Sequence, residues 1–408
     1  MKILHTSDWH LGSSLCGHKR YEEYEKFTLW LDEIIREEQI DAVLIAGDIF
    51  DTGTPANRAL ELYYQFLDRV TAIPGLQVIV TAGNHDSPSL INAPQALLKH
   101  LRIHVFGSIA EQPEDEIVEI VDKDGQPSLI VCAVPYLRDR DIRLSEPGES
   151  IEDKTRKLEE GVQKHYREIT GLAREKRKHM RGQVPIVAMG HLFVSGGKTV
   201  LGDGVRELYV GNLARIRAET LCDGIDYFAL GHLHVPQKVS GNDTIRYCGS
   251  PIALGFEDAS QQKQVVIVEF GLGVPVIRTI PVPKFLDIRT LKGDLSSIEH
   301  EIGSLIKLDH PVWLEVLFYG SHSPSAVQTQ LRELTEGTEI DILRIRPFDS
   351  GIAVIVSDDS GETLEDLSET EVFRRCMDAG NIPEEDREEL TYAFAEILKD
   401  VNEQDTPV

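Results

Sequence analysis

The chain has 408 residues, enough for two or three domains of ~100 to 200 residues each, and its 41% hydrophobic and 27% charged content excludes general disorder and a fibrous repeat. A net charge of −26 opposes long-range attraction to a polyanion. No apolar run reaches the ~20 residues that span a bilayer, and Met1-Lys2 passes into Ile3-Leu4-His5-Thr6 without a secretory pattern, so a cytoplasmic protein is expected.

Along the first three quarters, short apolar runs alternate with helical patterns, which predicts an α/β layered fold with helices on both faces of its sheets. The runs are Ile3 to His5, Ala42 to Ala46, Val78 to Thr81, Leu129 to Val134, Ile186 to Met189 and Tyr227 to Leu230. Helical spacing is evident over Tyr21 to Glu38, with Tyr24, Phe27, Leu31, Ile34 and Ile35 on one face, and over Arg58 to Val70, with Leu62, Phe66 and Val70. Past Lys284 the pattern becomes that of a small α+β module: Phe285 to Ile288, a helix around Leu295 to Ile306, the alternating Val312 to Val316, a helix near Ala326 to Leu334 and a strand over Ile340 to Ile345.

Residues Thr363 to Val401 read as two helices, the first opened by a Ser368/Glu371 capping box and the second by Pro383 after a stop at Gly380-Asn381. Leu390, Phe394, Ile397 and Val401 form a stripe on the second helix that requires an apolar partner. The expected division is thus residues 1–284, 285–357 and 358–408. Charge is uneven across it. Residues 351–408 hold 17 acidic against 4 basic side chains, half of the net charge, whereas Lys154 to Arg181 holds ten Lys and Arg against four Glu. That basic segment reads equally as a solvated helix face or a DNA contact.

Five scattered cysteines (Cys16, Cys132, Cys222, Cys248, Cys376) without a C-x-x-C predict reduced, structural thiols. The Ser195-Gly196-Gly197-Lys198-Thr199 segment resembles the end of a phosphate-binding loop, but Leu192 stands where its first glycine belongs, so that reading is rejected.

Chemistry concentrates where the apolar runs end. Asp8-Trp9-His10, Asp48-Ile49-Phe50-Asp51, Asn84-His85-Asp86, His191 and His232-Leu233-His234 each follow such a run, four of the five directly after glycine. Any one cluster alone is ordinary turn chemistry. Five in this order, at the strand ends where open α/β sheets bind ligands, point jointly to one site. Carboxylates, an Asn carbonyl and imidazoles without thiolate suit octahedral Mn²⁺ or a related divalent ion better than structural zinc. So many ligands call for two ions, with Asp48 the expected bridge.

These motifs, Asp8-x-His10, Gly47-Asp48-x-x-Asp51, Gly83-Asn84-His85-Asp86, Gly190-His191 and Gly231-His232-x-His234, resemble the metallophosphoesterase (calcineurin-like) superfamily. Its two-sheet core with helices on both faces is the implied fold. Within it, Ile3 to Gly12 and Arg246-Tyr247-Cys248-Gly249-Ser250-Pro251 resemble the SbcD family, nuclease subunits of bacterial double-strand-break repair complexes. The resemblance implies two Mn²⁺ ions, with Mg²⁺ a possible substitute. One would be held by Asp8, His10, Asp48 and His234, the other by Asp48, Asn84, His191 and His232. It also implies His85 as the catalytic histidine outside the ligand set and Asp51 as the residue that orients it.

The implied activity is metal-dependent 3′ to 5′ exonuclease cleavage of duplex DNA and endonuclease cleavage of single strands and hairpins, in recombination and repair near the nucleoid. It further implies a capping domain beyond Lys284 and an acidic helix pair that grips an SbcC ATPase, in an ATP-dependent assembly of two nuclease and two ATPase subunits. Helices over Arg58 to Val70 and Ser89 to Leu101 would pair two nuclease subunits, with Leu62, Phe66, Leu97 and Leu98 either interfacial or ordinary core. A phosphatase or cyclic-nucleotide phosphodiesterase on the same metal core, and a scaffold without catalysis, are the competing readings.

Overall fold

A computed structural model of the chain describes residues 1–122, 124–143, 149–197, 216–217, 220–221, 223–308, 310–320 and 323–348, together with Met377, Arg387, Leu390, Thr391 and Phe394. The two predicted terminal helices therefore lie mostly outside the described residues, as do Lys198, Thr199, Cys222 and Cys376. Cys16, Cys132 and Cys248 are free thiols. No helix among the described residues is long and apolar enough to cross a membrane. The chain divides into two compact units. One comprises Met1–Thr290, Leu308–Glu315 and Glu339–Leu343; the other comprises Leu291–Lys307, Val316–Thr338 and Arg344–Val408.

The strands of the larger unit are, in chain order, β1 (Lys2–Thr6), β2 (Ser14–Leu15), β3 (His18–Lys19), β4 (Ala42–Ala46), β5 (Gln77–Thr81), β6 (Ile103–Phe106), β7 (Ile117–Val121), β8 (Pro127–Ala133), β9 (Ile186–His191), β10 (Tyr227–Gly231), β11 (Gln237–Val239), β12 (Asn242–Tyr247), β13 (Gln264–Glu269) and β14 (Val276–Pro281). Its helices are α1 (Tyr21–Glu37), α2 (Asn57–Thr71), α3 (Pro88–Asn92), α4 (Gln95–His100), α5 (Asp139–Ile142) and α6 (Ile151–Lys178). All six apolar runs form strands. One sheet has the order β14-β13-β1-β4-β5-β6 and the other β11-β12-β10-β9-β8-β7. In the first, β1, β4, β5 and β6 are parallel, and in the second β8, β9, β10 and β12 are parallel.

Alternate residues of each run serve different layers. Leu4, Val43 and Ile45 face α1 and α2, in a core with Phe27, Leu31 and Phe66. Ile3, Leu44 and Ala46 face the second sheet, meeting Val131, Val187, Met189 and Ala229 between the sheets. The outer face of the second sheet is covered by α6 through Val162, Tyr166 and Ile169. Strands buried on both faces carry apolar side chains at every position, which is why they appear as unbroken runs.

The basic segment Lys154 to Arg181 falls almost wholly in α6. Ser150 caps its amino end by accepting from the Asp153 amide at 3.1 Å. Lys157 meets Glu149, Lys176 meets Glu119, and Arg174 and Arg177 meet Asp223 and Asp226, while Arg156 and Lys178 pair along the helix itself. Much of the positive charge is therefore engaged in seating the helix within its own unit.

The span Ser89 to Leu101 is two short helices rather than one. Pro94 has no N–H to donate and stands between α3 and α4. Leu62, Phe66 and Leu98 are buried against the first sheet, so they belong to the ordinary core, while Leu97 is 66% exposed.

A third sheet runs β15 (Asp287–Gly293), β16 (Val312–Phe318), β17 (Ile340–Pro347), with α7 (Leu295–Leu305) and α8 (Pro324–Thr335) in the connections. The side chains of Asp294 and Ser323 cap α7 and α8. The predicted α+β elements are all present, with β15 starting two residues later than the run at Phe285 suggests.

Phe66→Ala should cost about 3 to 5 kcal/mol, whereas Leu97→Ser should stay within about 0.5 kcal/mol of the unaltered chain. Denaturant unfolding of the two variants checks this, and equal small effects would remove Phe66 from the core.

Candidate metal centre

Parallel pairing brings the polar strand ends level. Ile3 to Thr6 pair with Ala42 to Ile45, Ala42 to Ala46 with Gln77 to Thr81, and Gly231 with His191. Beyond the strands the pairing continues into the loops, with the Asp8 amide donating to the Gly47 carbonyl and the His10 amide to the Asp48 carbonyl, both at 3.0 Å. The two stacked sheets thus deliver Asp8, His10, Asp48 and Asn84 from one side and His191, His232 and His234 from the other.

Six of these seven side chains are buried, and their ligand atoms face one another. His10 Nε2 lies 3.2 Å from His234 Nε2, and His191 Nε2 lies 3.1 Å from both Asp48 Oδ2 and Asn84 Oδ1. Asn84 Oδ1 is also 3.0 Å from His232 Nδ1. His191 Nδ1 donates to the Ala46 carbonyl at 2.9 Å. A carbonyl can only accept, so in neutral His191 the Nε2 atom carries a lone pair and points it at two further acceptors. Such a convergence of lone pairs in a buried site demands positive charge. Asp8, His10 and His234 form one ligand cluster, Asp48, His191 and His232 another, and His10, Asp51 and His85 a third, less buried one, with Asp48 Oδ2 also 3.7 Å from His10 Nε2. The donor set fits divalent cations.

Electrostatics record the same conflict. Burial pushes Asp8 up to about 6, although His191 pulls it down. Burial would lower His191, but Asp48 and Asp8 outweigh it and push the imidazole up to about 9. Burial and the neighbouring His191 lower His232 to about 3. Burial would raise Asp48 too, yet His191 and His10 hold it below the usual carboxylate range.

The backbone is bent to make the cluster. Asp8, His10, Asp48 and His232 all have positive φ, at 53°, 48°, 50° and 99°, a conformation that costs of order 1 to 3 kcal/mol per residue outside glycine. Glycine serves here mainly by its missing side chain. A Cβ on Gly83 would overlap the Asp48 carboxylate, and one on Gly231 would overlap the Ala46 carbonyl and press on His191.

His85 stands at the rim, half-buried, with its ring 4.9 Å from that of His10. Its amide donates to Asp48 Oδ1 at 2.9 Å, and its Nδ1 donates to the main-chain carbonyl of Asp51 at 2.8 Å. The Asp51 carboxylate instead lies 3.4 Å from His10 Nδ1. The structure thus orients His85 through the Asp51 backbone, because the Asp51 side chain turns toward His10.

Asp86 stands in the Asn84-His85-Asp86 motif, which by itself assigns it no role. Its buried carboxylate accepts from the amides of Ile49, Phe50 and Gly83 at 3.1, 2.9 and 2.8 Å, pinning the Asp48–Asp51 loop to the Asn84–His85 loop. Its place directly after the Asn-His pair was the available signal.

Fold and site together define a calcineurin-like phosphoesterase, and the family model of that description matches residues 1–236, which contain every candidate ligand. A second model, described as a type 5 capsule protein repressor C-terminal domain and designated SbcD_C, matches residues 284–381. The chain is 33% identical to the SbcD subunit of the nuclease SbcCD from Escherichia coli K12 over 401 residues, 98% of each chain. It is 34% identical to the Rhodobacter capsulatus counterpart over 70% of each chain, and 35% identical to that of Bacillus subtilis over 66% of each. The chain belongs to the SbcD family.

A cation entering this site must displace the proton that His191 holds in the metal-free chain at neutral pH and, below about 6, the proton on Asp8. Mn²⁺ affinity should therefore rise with pH, by at least about tenfold between about pH 5.5 and about pH 8, with protons released on binding. Calorimetry in two buffers of different ionisation enthalpy checks this; affinity independent of pH would refute it.

Proposed function

We propose that the chain is the nuclease subunit of an SbcCD-type complex, hydrolysing DNA phosphodiesters with two divalent cations, Mn²⁺ foremost. The observation that carries this reading is the convergence of seven ligand-type side chains, six of them buried, beside His85 at the rim. Asp8, His10, Asp48 and His234 would hold one ion, and Asp48, Asn84, His191 and His232 the other. A bound pair supplies Lewis acidity and neutralises charge at a phosphoryl centre.

The protein's own contribution is positional and protonic. Asp86, the close-packed glycines and the strained ligand loops keep the ligand atoms from drifting apart, so little reorganisation is needed when substrate arrives. His85 has its Nδ1 proton committed to the Asp51 carbonyl, leaving Nε2 to face the reacting phosphate. With Nε2 protonated, His85 acts as the general acid that delivers a proton to the departing sugar oxygen.

Substrate choice rests on the family rather than on the metal core. The relatives' names assign them to a nuclease with more than one kind of subunit, and we extend that to this chain: DNA as substrate, an SbcC ATPase as partner, and ATP-dependent cleavage in the complex. Residues 285–357 would guide DNA to the site and residues 358–408 would bind the ATPase. Homodimerisation would use the exposed Leu97, which the chain's own core leaves uncovered.

His85→Gln should bind two Mn²⁺ with unaltered affinity while cleavage of end-labelled duplex and hairpin DNA falls about 10² to 10⁴-fold. Loss of one equivalent of metal would make His85 a ligand, and cleavage of small phosphomonoesters but not DNA by the unaltered chain would overturn the substrate assignment. A chain ending at residue 360 should retain Mn²⁺-dependent nicking of single-stranded DNA and lose association with SbcC in size-exclusion chromatography; retained association would place the partner surface elsewhere.

A further inference from the structure

Behind His234 lies a buried ionic cluster to which the metal chemistry above gives no part. Lys263, directly before β13, is 6% exposed, and its ammonium donates to three acceptors from three segments: the His234 carbonyl at 3.2 Å, Ser250 Oγ at 3.0 Å and Asp258 Oδ2 at 2.6 Å. An ammonium has three N–H groups, so this environment uses all of them. Asp258, fully buried, spends its other contacts on the amides of Leu254 and Gly255 at 3.1 and 2.9 Å. The His234 carbonyl also accepts from the Ser250 amide at 3.2 Å.

The position matters more than the pairing. β13 is hydrogen-bonded antiparallel to β1, the strand that leads into Asp8 and His10, with His5 opposite Val266. His234 follows β10 of the other sheet. Lys263 therefore ties the frame of one sheet to a ligand loop of the other, at the point where His10 and His234 must approach each other. A residue hydrogen-bonded to the main chain of a ligand sets where that ligand's ring can lie, and second-layer partners of this kind typically change metal affinity about 10 to 100-fold.

We infer that Lys263, neutralised by Asp258 and steadied by Ser250, is a positioning residue for His234 and thereby sets the affinity of one of the two cation sites. The inference rests on the metal-centre reading, and its test separates the two.

The full-length chain, Lys263→Met, and the double variant Lys263→Met with Asp258→Asn are stripped with chelator and titrated with Mn²⁺ alone, followed by calorimetry and electron paramagnetic resonance. Thermal unfolding is recorded in chelator. The double variant leaves no lone buried carboxylate, and the Asn carbonyl keeps one of two amide bonds, since Leu254 donates to Oδ2 and Gly255 to Oδ1, so its melting temperature should recover in part if the single variant loses stability. The unaltered chain should bind two equivalents with an exchange-coupled spectrum. Both variants should bind one equivalent normally and the other about 10 to 100-fold more weakly, with the uncoupled six-line spectrum at intermediate Mn²⁺.

Two equivalents bound with unaltered affinity by a folded variant would overturn the inference and leave the metal centre standing. So would an affinity that returns together with the melting temperature in the double variant, since that marks Lys263 as a stability residue only. An unaltered chain that takes up no Mn²⁺ would overturn the metal-centre reading and the positioning role with it. Should Lys263→Met fail to fold, the double variant decides.

Discussion

The organising constraint of this molecule is the meeting of lone pairs in a largely buried place. His191 Nε2 faces Asp48 Oδ2 and Asn84 Oδ1, and His10 Nε2 faces His234 Nε2, all within 3.2 Å. Without positive charge such an arrangement is repulsive, and unpaired buried polar groups are costly. The surroundings oppose that repulsion at every point: parallel strands set the heights of the loops, glycines remove the side chains that would hold the loops apart, and Asp86 ties two ligand loops through three amides. Four left-handed non-glycine residues at the ligand positions are the local cost of this geometry.

Much of this was legible in the residues because of how the sheets are buried. A parallel strand covered on both faces must be apolar throughout, so the first polar residue after it announces the strand end, and in an α/β fold that end is where ligands gather. The same logic fails for β11, β12 and β14. These are antiparallel or peripheral strands with mixed burial, and β14 has an exposed, semi-buried alternation rather than a solid apolar run. The break between α3 and α4 follows from Pro94, whereas the family resemblance implied a single helix there.

What the residues could not convey is which atom of a residue does the work. The resemblance named Asp51 as the residue that orients His85 but not the atom: the contact is made by the Asp51 main-chain carbonyl, an atom that every residue type carries. Asp86 acts on amides, which leave no trace in side-chain spacing. Glycine before a ligand suggested a sharp exit turn, while at Gly83 and Gly231 the need is for close approach to atoms far away in sequence. Charge was equally ambiguous. The basic run in α6 has the composition of a polyanion-binding face, yet Arg174, Lys176 and Arg177 are paired with acids on other segments, and sequence order cannot reveal those partners.

Metal affinity and fold stability are coupled in such a site. A ligand that binds only the native state stabilises it by RT ln(1 + [L]/Kd), about 2.7 kcal/mol at a hundredfold excess over Kd. Much of the structure that would be stabilised is shared between the two sheets, because each contributes ligands that the other cannot supply. A divalent cation held by these ligands would cross-link β1, β4 and β5 on one side to β9 and β10 on the other. The apolar layer between the sheets, centred on Leu44, Val187 and Ala229, holds their spacing without metal. A core that keeps the sheets in register and a polar rim that waits for charge are separate devices, so the rim can be strained and strongly titrating while the fold beneath it stays intact.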